Sequence, residues 1–230
     1  MGAWEEILVK GSTPAAGYVA RPKTDAGIRV LLCAAYWGVT AHVRRLCDDL
    51  ATTGFTALAP SLYADRTTTD DPQVAAALMS ALEEDRVEAI LGAATDFLLD
   101  QPGDHGGNLG GIGFSMGGWA ITHISTIRPE LRAVASCYGF AESSDYTRHR
   151  ADAYQLHLAE FDEFPEEQEL AYIKAVEAAG ASIDVFRYDD ARHGFVNDEH
   201  PEDYQPDAAS LAWHRIRQFM TEHLQGGDRG

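Results

Sequence analysis

Leu109-Gly110-Gly111-Ile112-Gly113-Phe114-Ser115-Met116-Gly117-Gly118 changes its period at the serine. Up to Phe114 the run is apolar and short, as a buried strand is; beyond it Ala120, Ile121, Ile124 and Ile127 recur at helical spacing. A serine between two glycines at a strand-to-helix turn is the arrangement in which a tight, strained backbone lifts a hydroxyl above a sheet, with the next N–H aimed at the same reacting centre. A dinucleotide fingerprint starting at Gly111 would need a third glycine at 116, where methionine stands, and no G-K-[ST] follows. The turn therefore reads as the carrier of a nucleophile and not as a phosphate cradle.

Outward from this turn, apolar runs alternate with helical stripes. Further strands are expected at Ile28–Ala35, Phe55–Ala59, Ala133–Cys137, Tyr154–Ala159 and Ile183–Arg187. Such alternation predicts an α/β fold, a mostly parallel sheet with helices on both faces. Val43, Leu46, Cys47 and Leu50 make one helical stripe closed by Gly54, and Pro72–Leu99 reads as one long helical region. Pro165 sits at a first helical position, with Leu170, Ile173 and Val176 facing inward, and a last helix turns Ala212, Ile216, Phe219 and Met220 to the core. Ile7–Lys10 and Tyr18–Ala20 flank a Gly/Ser/Pro turn and read as a hairpin at the sheet edge. With 230 residues, no repeat and no linker, one domain over 1–225 is expected, followed by a frayed tail, 226–230. The polar segment Ala141–Arg150 is too short to join two domains, and the loop from Tyr138 to Ala153 is too short for a large lid.

The chain carries 36 acidic against 18 basic side chains, a net charge of −18. A surface of that sign repels phosphate backbones and anionic headgroups, so neither nucleic acid nor a membrane is an expected partner. The acid-rich stretches Glu160–Glu169 and Asp198–Asp207 read as solvated faces. Cys33, Cys47 and Cys137 form no metal-ligand spacing and cannot all pair with one another, which suits a reducing compartment. The opening MGAWEEILVK lacks the basic and apolar regions of a signal peptide, so a cytoplasmic location is expected. No metal or organic cofactor is called for.

A serine hydroxyl is a weak nucleophile at neutral pH and needs a base, which in turn needs an orienting acid. On this type of sheet the chain order is serine, carboxylate, histidine, each at the carboxyl end of a strand. His193 lies just beyond the strand at Ile183–Arg187 and before the last helix; His200 is its rival, seven residues on. The strand at Tyr154–Ala159 exits through Glu160-Phe161-Asp162-Glu163-Phe164-Pro165. Asp162 leads among the three carboxylates because a short side chain fixed at a strand exit suits an orienting role, with Glu160 and then Glu163 behind it.

Ala35-Tyr36-Trp37-Gly38-Val39, Ala59-Pro60-Ser61-Leu62-Tyr63-Ala64, the elbow at Gly113–Gly118, Asp162 and His193-Gly194-Phe195 together resemble the dienelactone hydrolase family of the α/β-hydrolase fold, over most of the chain. The resemblance implies a Ser115, Asp162, His193 triad, an oxyanion hole from the backbone N–H groups of Tyr36 and Met116, and hydrolysis of a small carboxylic ester or lactone through an acyl-enzyme. Two departures stand out. Those enzymes use a cysteine nucleophile helped by a nearby glutamate, whereas this chain has Ser115 and, in the glutamate's place, Ala35. They also hold a substrate carboxylate with arginines, and Asn197 stands where one is expected. Trp37, Tyr138, Phe195 and Asn197 are the residues expected to touch substrate. The other readings are a thioesterase or small-peptide hydrolase with the same triad, and a catalytically silent scaffold that binds a small ligand.

Overall fold

The computed structural model describes residues 1–103, 109–142, 151–162 and 164–225. Its strands are β1 (Ala3–Ile7), β2 (Ala15–Ala20), β3 (Ile28–Cys33), β4 (Phe55–Pro60), β5 (Leu109–Phe114), β6 (Leu131–Cys137), β7 (Ala153–Phe161) and β8 (Ser182–Arg192). They form one sheet in the order β1-β2-β4-β3-β5-β6-β7-β8. β2 pairs antiparallel with β1 and with β4, and every later pair is parallel. The helices are α1 (Ala41–Thr52), α2 (Pro72–Ser80), α3 (Glu84–Leu99), α4 (Met116–Ser125), α5 (Glu166–Ala178) and α6 (Pro206–Leu224).

β3, β4 and β5 are buried at every position, because helices cover both of their faces. The alternation of side chains along a strand divides the core in two. Ile28, Val30 and Leu32 of β3 join Val43, Cys47 and Leu50 of α1 and Ile216, Phe219 and Met220 of α6. Leu31 and Cys33 face the other way, onto Ile90 and Leu91 of α3 and Ile121 and Ile124 of α4. The chain runs from β3 outward to β4 and then returns to place β5 on the far side of β3. Strand order reverses there, and in such sheets the crevice at the carboxyl ends of the two diverging strands is where ligands bind.

Several elements differ from what the sequence predicts, and β8 runs on to Arg192, five residues past the expected strand end at Arg187. The first hairpin strand is Ala3–Ile7, not Ile7–Lys10: Leu8 is exposed, and Gly11 takes the left-handed conformation (φ 73°) of the turn. The region Pro72–Leu99 is two helices. Asp71 caps the first through the amides of Gln73 and Val74, and the second begins at Glu84. Ile127 lies past the end of α4 and is exposed. In α5, Pro165 is the cap rather than the first helical residue, and the buried side chains are Glu169, Tyr172 and Val176 while Leu170 is exposed. Glu169 takes the inward place because Arg187 of β8 pairs with it. The expected tail at 226–230, most of the polar segment Ala141–Arg150, and Glu163 lie outside the described residues.

Candidate active site

Ser115 joins β5 to α4 with φ 53° and ψ −118°, a conformation that costs an L-residue roughly 1–3 kcal/mol and persists only where its surroundings enforce it. The Ser115 N–H donates to the carbonyl of Cys137 (3.0 Å), and the Ser115 carbonyl accepts from Trp119 (3.1 Å). Small neighbours make the turn possible. A Cβ on Gly117 would lie 2.1 Å from the Cys33 carbonyl oxygen, and one on Gly113 would lie 2.2 Å from that of Gly117. Glycine at both positions therefore lets α4 start directly against the exit of β3.

The Ser115 Oγ lies 2.7 Å from Nε2 of His193, whose Nδ1 lies 2.9 Å from Oδ1 of Asp162. Residues 78 and 31 positions apart in the chain are thus linked in one hydrogen-bonded line. The His193 amide donates to the carbonyl of Phe161 at 3.2 Å, so base and acid hang from adjacent rungs of the β7–β8 ladder. The Asp162 side chain is 3% exposed and the imidazole 36%, so water reaches the base while the acid stays dry. An ionised carboxylate only accepts; the Asp162 contact therefore places a proton on Nδ1 and leaves the Nε2 lone pair facing the serine. Glu160 is occupied elsewhere. It accepts from the Asp190 amide (2.6 Å), beside the irregularity between Ala159 and Phe161 where Asp190 adopts φ 60°.

A cleft of about 80 Å³ opens on Ser115 and His193, with Tyr36, Trp37, Tyr138, Asn197, His200 and Asp203 among its walls. Of the residues expected to touch substrate, Trp37, Tyr138 and Asn197 line this cleft. The Tyr138 ring lies 5.0 Å from that of His193, and burial holds its phenol well above the ordinary tyrosine pKa. Phe195 corrects the sequence reading. It is fully buried, packed against Tyr138 (5.4 Å between centroids) and Tyr188 (4.8 Å), and supports the wall from behind without reaching the cleft.

Two lining residues were not among those expected to touch substrate: His200, read from the sequence as the rival base to His193, and Asp203. His200 lies flat on Trp37, centroids 4.0 Å apart and planes inclined by 22°, and Asp203 lies beyond it. Their signal is a period of three. Asn197 N–H bonds to Gly194 carbonyl, His200 to Asn197 and Asp203 to His200, and successive i→i+3 turns of this kind stack every third side chain on one side. Met116 opens α4, so its amide is among the helix-start donors with no partner inside the helix, at the positive end of the helix dipole. Tyr36 lines the cleft three residues beyond the end of β3.

No lysine or arginine is among the described lining residues of the cleft. The one described group of three with metal-ligand spacing, Glu84, Glu88 and His123, bridges α3 and α4 and includes no cleft residue; His123 Nε2 is hydrogen-bonded to Glu88 at 2.7 Å. A larger cavity, of about 530 Å³, lies between the β1–β2 turn and the α2–α3 pair, and neither Ser115 nor His193 lines it.

A serine on a strand–turn–helix elbow, with histidine and carboxylate arriving from later strand exits at the reversal point of an eight-stranded sheet, is the α/β-hydrolase arrangement. The chain belongs to the dienelactone hydrolase family, whose family model matches residues 15–224, and with it to the carboxylic ester hydrolases. It is 30% identical to protein usf of Aquifex pyrophilus, over 94% of this chain and 96% of that one. It is 29% identical, with the same coverage of both, to an Aquifex aeolicus protein provisionally named carboxymethylenebutenolidase. A Klebsiella pneumoniae crystal structure provisionally named a dienelactone hydrolase superposes with a TM-score of 0.83 at 24% identity, over 96% of this chain and 99% of that one, which establishes the shared fold.

Proposed function

We propose that the protein cleaves a small, uncharged carboxylic ester or lactone through an acyl-enzyme on Ser115. The observation that carries this is the line of contacts from Ser115 Oγ through His193 to Asp162, at 2.7 and 2.9 Å. In the first half, Oγ attacks the carbonyl carbon while its proton passes to Nε2 of His193. The tetrahedral oxyanion is held by the N–H groups of Met116 and Tyr36, each such donor being worth about 3–4 kcal/mol. The bond to the leaving oxygen then breaks, and the imidazolium returns its proton to that oxygen as the alcohol departs. In the second half, water gives a proton to His193 and attacks the acyl carbon; the acid is released as the proton goes back to Oγ. Asp162 stays ionised throughout and steadies the imidazolium.

The cleft supports the substrate class. Its volume suits a small acyl group, its walls are aromatic, and a carboxylate-bearing substrate would meet Asp203 with no described cation to hold it. The cytoplasm is part of the same proposal, since Cys33, Cys47 and Cys137 are all buried and free. The test is labelling with a fluorophosphonate and turnover of p-nitrophenyl acetate, in the wild type and in Ser115→Ala. Label on Ser115 and loss of turnover in the variant are expected. Label on another residue, or equal turnover in Ser115→Ala, would refute the proposal.

A further inference from the structure

We infer that Tyr63 is a positioning residue that sets the oxyanion hole through its hydroxyl; the inference rests on the serine-hydrolase reading above. Tyr63 follows β4 and lines the large cavity, not the cleft at Ser115. Its hydroxyl donates to the Tyr36 carbonyl at 2.8 Å and lies 3.7 Å from the Met116 Sδ. A single oxygen thus touches both residues assigned to the hole, which come from different strand exits.

Tyr63 is itself well anchored. Its ring is buried, its carbonyl accepts from the Ser61 Oγ at 2.9 Å, and burial pushes its phenol up to about 12, so the hydroxyl remains a donor at any ordinary assay pH. The loop it restrains has other ties on either side: Gly38 N–H bonds to the Ala35 carbonyl and Thr69 N–H to the Trp37 carbonyl. Between them, the Tyr36 carbonyl accepts from the Tyr63 hydroxyl. The Gly38 bond to the Ala35 carbonyl holds the peptide plane that carries the Tyr36 N–H, and the Tyr63 bond holds the plane that follows it; together they pin both backbone torsions of Tyr36, and with them the direction in which its N–H meets a developing oxyanion. A donor in such a hole is effective only when it is held in place before the charge appears.

Because Tyr63 touches the hole and not the substrate cleft, removing its hydroxyl should lower kcat and leave KM alone. The experiment is Tyr63→Phe, assayed on p-nitrophenyl acetate, with rates expressed per site titrated by fluorophosphonate so that any loss of folded protein cancels. An aryl trifluoromethyl ketone, which forms a tetrahedral oxyanion on the serine, supplies the second readout. The expected result is a kcat roughly five- to tenfold lower, the scale of one neutral hydrogen bond, with KM within about twofold and the ketone bound more weakly by the same factor. An unchanged kcat per titrated site overturns the inference, even if the variant melts earlier, because the ring would then matter only for packing. A loss confined to KM, or a lower kcat without matching loss of ketone affinity, overturns it as well. Ser115→Ala separates the two levels. If that variant is inactive and Tyr63→Phe is unimpaired, the inference alone falls; if Ser115→Ala still turns over ester, the serine mechanism falls and the inference with it.

Discussion

Asp162→Asn keeps the outline of the side chain and removes its charge, and its effect can be estimated from the geometry. The Asp162 Oδ1 lies 2.9 Å from His193 Nδ1, and in the proposed mechanism the imidazole gains its charge by taking the serine proton. Two unit charges at that separation attract by about 6 kcal/mol at an effective dielectric of about 20. The imidazole is 36% exposed and water screens part of this, so about 4 kcal/mol is the working figure, which is about a thousandfold in kcat. KM should hardly move, because the charge is absent in the ground state. A second effect has the same sign. An amide NH2 facing Nδ1 selects the opposite tautomer and points an N–H, instead of a lone pair, at Ser115. Steady-state hydrolysis of p-nitrophenyl acetate measures the loss, and thermal melting shows whether the variant is folded. A folded Asp162→Asn protein within tenfold of wild-type kcat would refute the assignment of this carboxylate as the group that orients the base.

Two further outcomes test the scaffold. His157 is buried on β7 between the Tyr188 hydroxyl (2.7 Å) and Gln155 (2.9 Å), and burial, with a smaller push from Arg215, lowers its pKa to about 3. The unfolded chain binds this proton from about pH 6.5 downward and the folded chain does not until about pH 3, so stability is complete above 6.5 and falls through that window by up to about 1.4 kcal/mol per pH unit; urea titrations at pH 7, 6 and 5 should show the decline, and His157→Gln should flatten it. Gly117→Ala drives a Cβ to 2.1 Å from the Cys33 carbonyl, and is expected to cost about 1–3 kcal/mol and to displace Ser115, so that fluorophosphonate labelling slows more than the melting point alone predicts.

The parts of the site that could be read in the sequence are those tied to a strand exit. Ser115 is marked by the change from strand to helix period with glycine on both sides, and Asp162 and His193 each follow an apolar run within a few residues. What failed was direction. Phe195 is two residues from His193 yet faces the core, because the turn after His193 carries residues 194, 197, 200 and 203 to the cleft and 195 away from it. The same blindness gave His200 the wrong part: read as a rival base, it stacks on Trp37 in the wall of the cleft. In α5 the local stripe through Leu170 lost to a partner that no helical period reveals, Arg187 on the neighbouring strand. β1 was misplaced because an edge strand with one covered face needs little apolar sequence: Ile7 is its only fully buried residue.

The strand that delivers His193 is also the outer border of the sheet, since β8 has β7 as its single neighbour. An open border of this length invites a foreign strand to continue the ladder. Asp184, Arg187, Asp189 and Arg192 line it with exposed charge of both signs, so an incoming chain would have to strip water from four ionised groups before gaining its first backbone bonds. Charge so placed weighs against continuation of the ladder at the corner of the sheet that carries His193.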